Sequence, residues 1–296
     1  MGFSVLKLDD AVKLMQEDRL PPHSLVLTVD DGWQGVENIA WPLLRQYGFD
    51  WTLYVTTYYV EKQLPVNNIL LLYLFWKTTR QKVDFSDFTG KLPQDFVAYP
   101  HVVSEDLVSR LVRYADSLPT AVDRQAFVNY VAIKLGLDPK NIEQKRLFYL
   151  IDQQVLYDMH RSGVDIQLHT HRHNLGGVCR ETMFRELRDN RDSIAKICSH
   201  RPTHFCYPSG FYKKEHLEWL SDWGMASATT CKAGLNYPHT NPLELNRFLD
   251  GENISEIEFE AELSGFAEVL RYLKNGRWLV PWFRKKQQPL GYAAGE

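Results

Sequence analysis

Cysteine is scarce in this chain. Its four residues, Cys179, Cys198, Cys206 and Cys231, are too scattered for a disulfide framework and never form a CxxC pair. Reduced thiols packed as small hydrophobes are the expectation, and with them a reducing, cytoplasmic setting. A run of eighteen apolar residues is also missing, so no membrane span is expected. The densest apolar stretch, Ile69–Trp76, is short enough for a strand or a buried helical turn. The opening residues MGFSVLKLDD lack the basic and long apolar regions of a signal peptide, which fits a cytoplasmic protein or an exported one whose leader has been lost. Basic excess is absent too: the formal net charge is −3, which argues against a general nucleic-acid binder. No internal repeat, phosphate loop, dinucleotide fingerprint or Ser-His-Asp arrangement occurs.

What the chain does have is enough apolar side chain to fold. Hydrophobic residues make up 44% and aromatics 13% of 296 residues, which excludes disorder and suits one large domain or two small ones. The opening reads as a strand at Phe3–Leu6, a helix at Asp10–Gln16 and a break at Pro21-Pro22. A continuous apolar strand, Leu25–Val29, ends at the turn signal Asp30-Asp31-Gly32. A helix over Val36–Gln46, stopped by Gly48, leads to a second strand at Trp51–Thr57, and this βαβ spacing implies parallel pairing. From about residue 61 to 154 helical periodicity takes over, at Ser104–Asp116, Val122–Leu135 and Glu143–Arg161, as an insertion between two strands. The α/β rhythm then resumes. Strands are expected at Val164–Leu168, His204–Cys206 and Met225–Thr229, with helices at Arg180–Ser199 and Lys213–Trp223 between them.

Two polar clusters sit at the ends of these strands, where α/β sheets place ligands. Asp30 and Asp31 close the first strand. Alone they would read as an ordinary strand-ending turn. His169, His171 and His173 follow Val164–Leu168 within five residues. Imidazoles at i and i+4 on a helical turn would share one side and could share a metal. Both clusters would meet at one edge of a parallel sheet. One carboxylate with two imidazoles gives three protein ligands and leaves positions open, the pattern of a catalytic divalent ion. The neighbouring carboxylate would then be free to act as a base.

These residues carry a family resemblance. TVDDGWQG resembles the TFDDG motif of the polysaccharide deacetylases, the NodB-homology or carbohydrate esterase family 4 group. SGVDIQLHTHRH resembles their second motif, and FCYPSG, residues 205–210, their third. WGMASATT and LELNRF resemble later segments, in matching order, over residue 24 to about 265. The resemblance implies an α/β fold, a distorted, incomplete (β/α) barrel, with residues 1–265 as the catalytic domain including the helical insertion at about 61–154. It implies that Asp31, His169 and His173 hold a divalent metal, zinc first among the candidates, and that Asp30 is the general base. The backbone amide of Tyr207 would help to hold the oxyanion, while Trp33 and Tyr207 would adjoin the sugar. The implied reaction is hydrolysis of an N-acetyl group on a GlcNAc-type sugar or polysaccharide, as in cell-surface polysaccharide metabolism.

The sequence also departs from the family. Cys206 stands where the third motif carries an arginine, and Arg247 in LELNRF is the candidate to pair with Asp30 instead. No L-x-H motif follows Cys231 to supply a general acid, which leaves His171, His204 and His239 as candidates. Two alternatives therefore stay open: a related metal-dependent hydrolase of formyl or cyclic amides, and a catalytically silent carbohydrate-binding domain. The last segment, 266–296, is basic and aromatic. Arg271, Lys274, Arg277, Arg284, Lys285 and Lys286 lie among Trp278, Trp282 and Phe283. It reads first as a terminal helix packing its aromatics on the body, and second as a weak membrane-surface contact.

Overall fold

The computed structural model describes residues 2–85, 87–88, 101–175 and 179–275. The tail residues Arg277, Trp278, Trp282, Phe283, Arg284, Lys285 and Lys286 lie outside the described residues. In chain order the elements begin with β1 (Ser4–Val5), α1 (Leu8–Gln16), β2 (Ser24–Leu25), β3 (Thr28–Asp31), α2 (Trp41–Tyr47) and β4 (Thr52–Val55). There follow α3 (Thr57–Lys62), α4 (Asn67–Lys77), β5 (Lys82–Val83), β6 (His101–Val102), α5 (Glu105–Ser117), α6 (Ala121–Lys134), α7 (Pro139–Gln144) and α8 (Gln153–Arg161). The rest are β7 (Asp165–Leu168), α9 (Arg180–Cys198), β8 (His204–Cys206), α10 (Lys214–Trp223), β9 (Ser227–Thr229), α11 (Glu256–Leu263) and α12 (Phe266–Asn275). Two compact units result: Met1–Asp31, Tyr47–Thr57 and Met159–Glu296 form the first, and Gly32–Gln46 and Tyr58–Asp158 the second.

The first unit is built on a five-stranded sheet in the order β3-β4-β7-β8-β9, parallel at every pairing. Among the described residues it does not close on itself: β3 ends one side and β9 the other, where a parallel bridge joins Thr229 to Leu245. This is an incomplete (β/α) barrel. The register aligns Asp31 with Val55 and Val55 with Leu168, so these strands finish in one row. Whatever follows them is delivered to the same edge of the sheet. Helix α1 buries Leu8, Ala11, Val12 and Met15, the i, i+3, i+4, i+7 stripe of an amphipathic helix. Leu8, Val12 and Met15 pack with Tyr54, Cys206 and Leu245.

The expected strand Leu25–Val29 is in fact two pieces. Ser24–Leu25 pairs with β1, and the sheet strand starts at Thr28. Asp30 and Asp31 are its last rungs, opposite Tyr54 and Val55, not a turn beyond it. The left-handed φ of 67° at Asp31 is what ends the strand.

The second unit is mostly helical. The densest apolar stretch of the sequence becomes α4, whose Leu70, Leu71, Leu74 and Phe75 are buried. They pack with Leu107, Val108 and Leu111 of α5 and with Phe127, Val128 and Val131 of α6. Ser104 and Thr120 start those two helices by accepting the N3 amide, the usual cap chemistry. Three expectations change. The single helix over Glu143–Arg161 is broken between α7 and α8 by left-handed Arg146 and Phe148. A π-helical turn at Val36–Ala40 precedes α2 where an unbroken helix was expected. The unit also takes in Gly32–Gln46, outside the 61–154 insertion.

Candidate metal centre

His169 is the first residue after β7, and the chain there does not form the helical turn that the i, i+4 spacing suggested. Residues 169–175 are an irregular bend with Thr170 at φ 63° and His173 at φ 55°. The bend still unites the two imidazoles. Nε2 of His169 and Nε2 of His173 each lie 3.2 Å from Oδ1 of Asp31. His169 is 1% exposed and His173 35%, so the cluster is closed on one side and open to solvent on the other.

Helix α9 braces this bend from behind. Asn190 accepts the His169 amide at 2.9 Å, and Glu186, one turn earlier, accepts the Arg172 amide at 2.8 Å. Glu186 also pairs with the Arg172 guanidinium at 2.6 Å. Neither residue figured in the motif reading. The available signal was a pair of polar residues on the buried face of a long amphipathic helix directly after the histidines.

Donor chemistry decides whether the cluster suits a cation. Nδ1 of His169 is 2.8 Å from the carbonyl oxygen of Cys206. A carbonyl can only accept, so the ring donates there, which makes Nε2 the nitrogen that can ligate a cation once the ring is neutral. A main-chain carbonyl orienting the far ring nitrogen is the usual support for a metal-binding histidine. Asp31, His169 and His173 offer ligand atoms all within 4.8 Å of one another. This set fits a divalent ion. By itself the cluster is electrostatically tense. Burial works against a charge on His169, but negative charge on Cys206 when ionised, on Asp31 and on Asp30 raises its pKa well above the ordinary value. Burial and then the His169 charge press His173 the other way, toward the neutral, ligating form.

Beside this cluster lies a second one. Arg247 grips Asp30 through Nη1–Oδ1 and Nη2–Oδ2, both at 2.7 Å. The same guanidinium donates to Thr28 Oγ1 at 3.2 Å and to the Cys206 sulfur at 3.3 Å. Main-chain pairing places it: Leu245 bridges Thr229 at the open edge of β9, and the Arg247 amide donates to the Lys232 carbonyl at 2.8 Å. Burial opposes the Asp30 charge, but the Arg247 hydrogen bonds and the His169 charge outweigh it and lower the pKa. Cys206 thus stands where the motif it resembles carries an arginine, while Arg247 supplies the cation from the irregular segment after the Leu245 bridge. Its thiol pKa is raised, burial being the main cause. Next to it, Gly210 at φ 69° lets the loop after β8 close on Cys231, since a Cβ there would lie 2.6 Å from the Cys231 Cβ.

Several sequence candidates land elsewhere. The Tyr207 amide donates to the Thr229 carbonyl at 3.1 Å, so the sheet already uses the donor proposed for an oxyanion. The Tyr207 ring is fully buried, its hydroxyl donating to the Leu243 carbonyl at 2.9 Å and its face stacked on Tyr212. It has no face left for a sugar. Trp33 belongs to the second unit, where it is half-buried and bridges Leu150. His204 is held at the start of β8 by Ser227 Oγ at 2.7 Å and Asp9 Oδ1 at 2.6 Å. His171 is buried against Thr57 at 2.8 Å, and His239 is exposed, stacked on Tyr237. The cysteines do not all behave as buried hydrophobes: Cys198 and Cys206 are buried, Cys231 is intermediate and Cys179 is exposed.

Comparison with known proteins follows the same lines. The family model for polysaccharide deacetylase matches residues 127–228, a stretch that contains His169, His173 and Cys206. The solved Streptococcus pyogenes deacetylase PplD, in complex with acetate, is similar at a TM-score of 0.55 and 16% identity, over 88% of this chain and 80% of that one. IcaB from Ammonifex degensii is similar at 0.53 and 16% identity, over 88% and 82%. BC0361, a polysaccharide deacetylase from Bacillus cereus, follows at 0.50 and 14% identity, over 88% and 57%. No curated protein sequence matches significantly. The family match and the shared fold bear out the resemblance to the NodB-type polysaccharide deacetylases, and the open parallel sheet is the incomplete (β/α) barrel of that type.

Proposed function

We propose that the chain is a metal-dependent de-N-acetylase of a GlcNAc-type sugar or polysaccharide, serving cell-surface polysaccharide metabolism. The observation that carries this reading is the convergence of Asp31, His169 and His173 on one point, with the Asp30–Arg247 pair beside it. Asp31 and the two imidazoles would hold the ion. When bound, a divalent ion, zinc first among the candidates, supplies Lewis acidity, polarising the acetamide carbonyl and making nearby water easier to deprotonate.

The chain's own residues do the rest. Asp30, held ionised, accepts a proton from the attacking water as the new C–O bond forms. Arg247 fixes the carboxylate plane through two parallel bonds, which a single-point cation could not do. When the C–N bond breaks, the amine needs one proton, and the proton on Asp30 is the one at hand. Both ring nitrogens of His204 are committed, to Ser227 and Asp9, so it is not the missing acid, and His171 is buried with its Nδ1 on Thr57. Products are acetate and a free amine. The loss of the third-motif arginine favours a silent binding domain only if nothing replaces it. Arg247 does, and this supports an active site.

The test is acetate release from N-acetylated glucosamine oligomers of several linkages, with product masses recorded. One free amine per acetate is expected from at least one linkage. Asp30→Asn should retain the metal and lose at least ~100-fold in rate, the scale of a missing general base. A metal-loaded chain that releases no acetate from any of them would overturn the reading.

A further inference from the structure

We infer that Asn190 is a positioning residue for the metal centre, acting through the main chain of His169 and, by way of Thr57, on His171. For the ion itself this inference rests on the functional reading above. Asn190 lies on α9, is fully buried and makes three hydrogen bonds. Its Oδ1 accepts the His169 amide at 2.9 Å, and its Nδ2 donates to the Val55 carbonyl at 3.0 Å and to Thr57 Oγ1 at 2.9 Å. Two of these partners are main-chain groups with fixed polarity, so the orientation of the carboxamide is not in question.

The location gives these bonds their meaning. Val55 and Leu168 are the last paired residues of β4 and β7. One step on, the Val55 carbonyl and the His169 amide face the same carboxamide, which serves as one more rung where the strands part. Thr57 Oγ1, accepting from Asn190, has its own proton left to donate to His171 Nδ1 at 2.8 Å. A single side chain therefore braces the residues on both sides of Thr170, whose φ of 63° is an uncommon conformation for a β-branched residue. That kink turns the chain back so that His173 reaches Asp31 beside His169. Without the carboxamide two buried main-chain groups lose their partners, and Glu186, which holds the bend further along at Arg172, does not replace them.

The experiment compares Zn2+ affinity, by competition with a chromophoric chelator, in the wild-type chain, Asn190→Ala, Thr57→Val and Ser227→Ala. Ser227→Ala is the control, because it removes a buried hydrogen bond to His204 at the N-terminal ends of β8 and β9. Thermal melts of the apo chains run alongside. Support for outer groups that orient ligands is worth roughly 10–100-fold in metal affinity. Asn190→Ala should lose that much while still melting cooperatively, with a fall in kcat larger than any rise in KM. Ser227→Ala should melt earlier and keep its affinity within about 2-fold, well inside that range. If Asn190→Ala melts early but binds Zn2+ like wild type, Asn190 is merely structural and the inference is overturned. If it does not fold, Thr57→Val decides: weakened affinity supports the inference, wild-type affinity overturns it. A wild-type chain that holds Zn2+ but releases no acetate sinks the functional reading alone, and one that holds no Zn2+ sinks both.

Discussion

Arg247 meets Asp30 plane to plane, with two nitrogens on two oxygens at 2.7 Å each. A bidentate pair of this kind fixes both the ionisation and the orientation of the carboxylate. Arg247→Ala removes both, and turnover should fall by about 10²-fold, the scale of a misoriented reacting group. Metal content should hardly change. Arg247→Lys keeps the charge but one contact at best, so its rate should lie between the two. Denaturant melts should show Arg247→Ala less stable by roughly 1–3 kcal/mol, the cost of leaving a largely buried acceptor unpaired. Wild-type kinetics in Arg247→Ala would return the residue to a structural role.

The same pair sets a pH dependence. Asp30 has a folded pKa below the ordinary 3.8, burial opposing and Arg247 and His169 lowering it. The unfolded chain then binds the proton more readily than the folded one. The stability contributed by Asp30 is thus complete above the ordinary value and is lost as pH falls toward the folded pKa. Compared with Asp30→Asn across pH 3 to 7, roughly the span over which such a carboxylate matters, the wild-type advantage should be flat until about pH 4 and shrink only below it. A difference that already shrinks between about pH 6 and 5 would show a raised pKa and contradict the assignment.

Thiol chemistry should divide the cysteines. Hydrogen bonds from Thr182 lower the pKa of exposed Cys179. Burial pushes the Cys198 thiol up to about 11, and Cys206 is raised for the same main reason. Alkylation near neutral pH, read by peptide mass, should therefore mark Cys179 first and reach Cys198 and Cys206 only on unfolding. Early labelling of Cys206 would mean that the cluster around Asp30 is open to solvent.

Much of the fold was legible because runs such as Leu25–Val29 and Trp51–Thr57, with a helical pattern between them, read as a βαβ unit, which implies parallel pairing. The two polar clusters were legible because each directly follows or ends such a run. The local geometry was not. His169 and His173 look like neighbours on a helix, yet two left-handed residues bring them together, and left-handed Thr170 leaves no sequence signal. Tyr207 was a candidate sugar platform because it was expected to adjoin the metal, but it is fully buried and stacked on Tyr212. Asn190 was invisible to motif reading because two of its three partners are main-chain groups, which every sequence has. Helix α11 was missed, and α12 lies in the segment expected to form a terminal helix. Their exposed faces carry Ile257, Phe266, Val269 and Tyr272, so apolar positions there do not mark a core.

Anomalous diffraction on both sides of the zinc edge, from crystals grown with Zn2+, addresses the metal centre most directly. The account predicts one strong peak about 2.0–2.2 Å from Nε2 of His169, Nε2 of His173 and the Asp31 carboxylate, the bonding range for zinc with nitrogen and oxygen ligands. No peak there, or a peak bound only by other side chains, would contradict it.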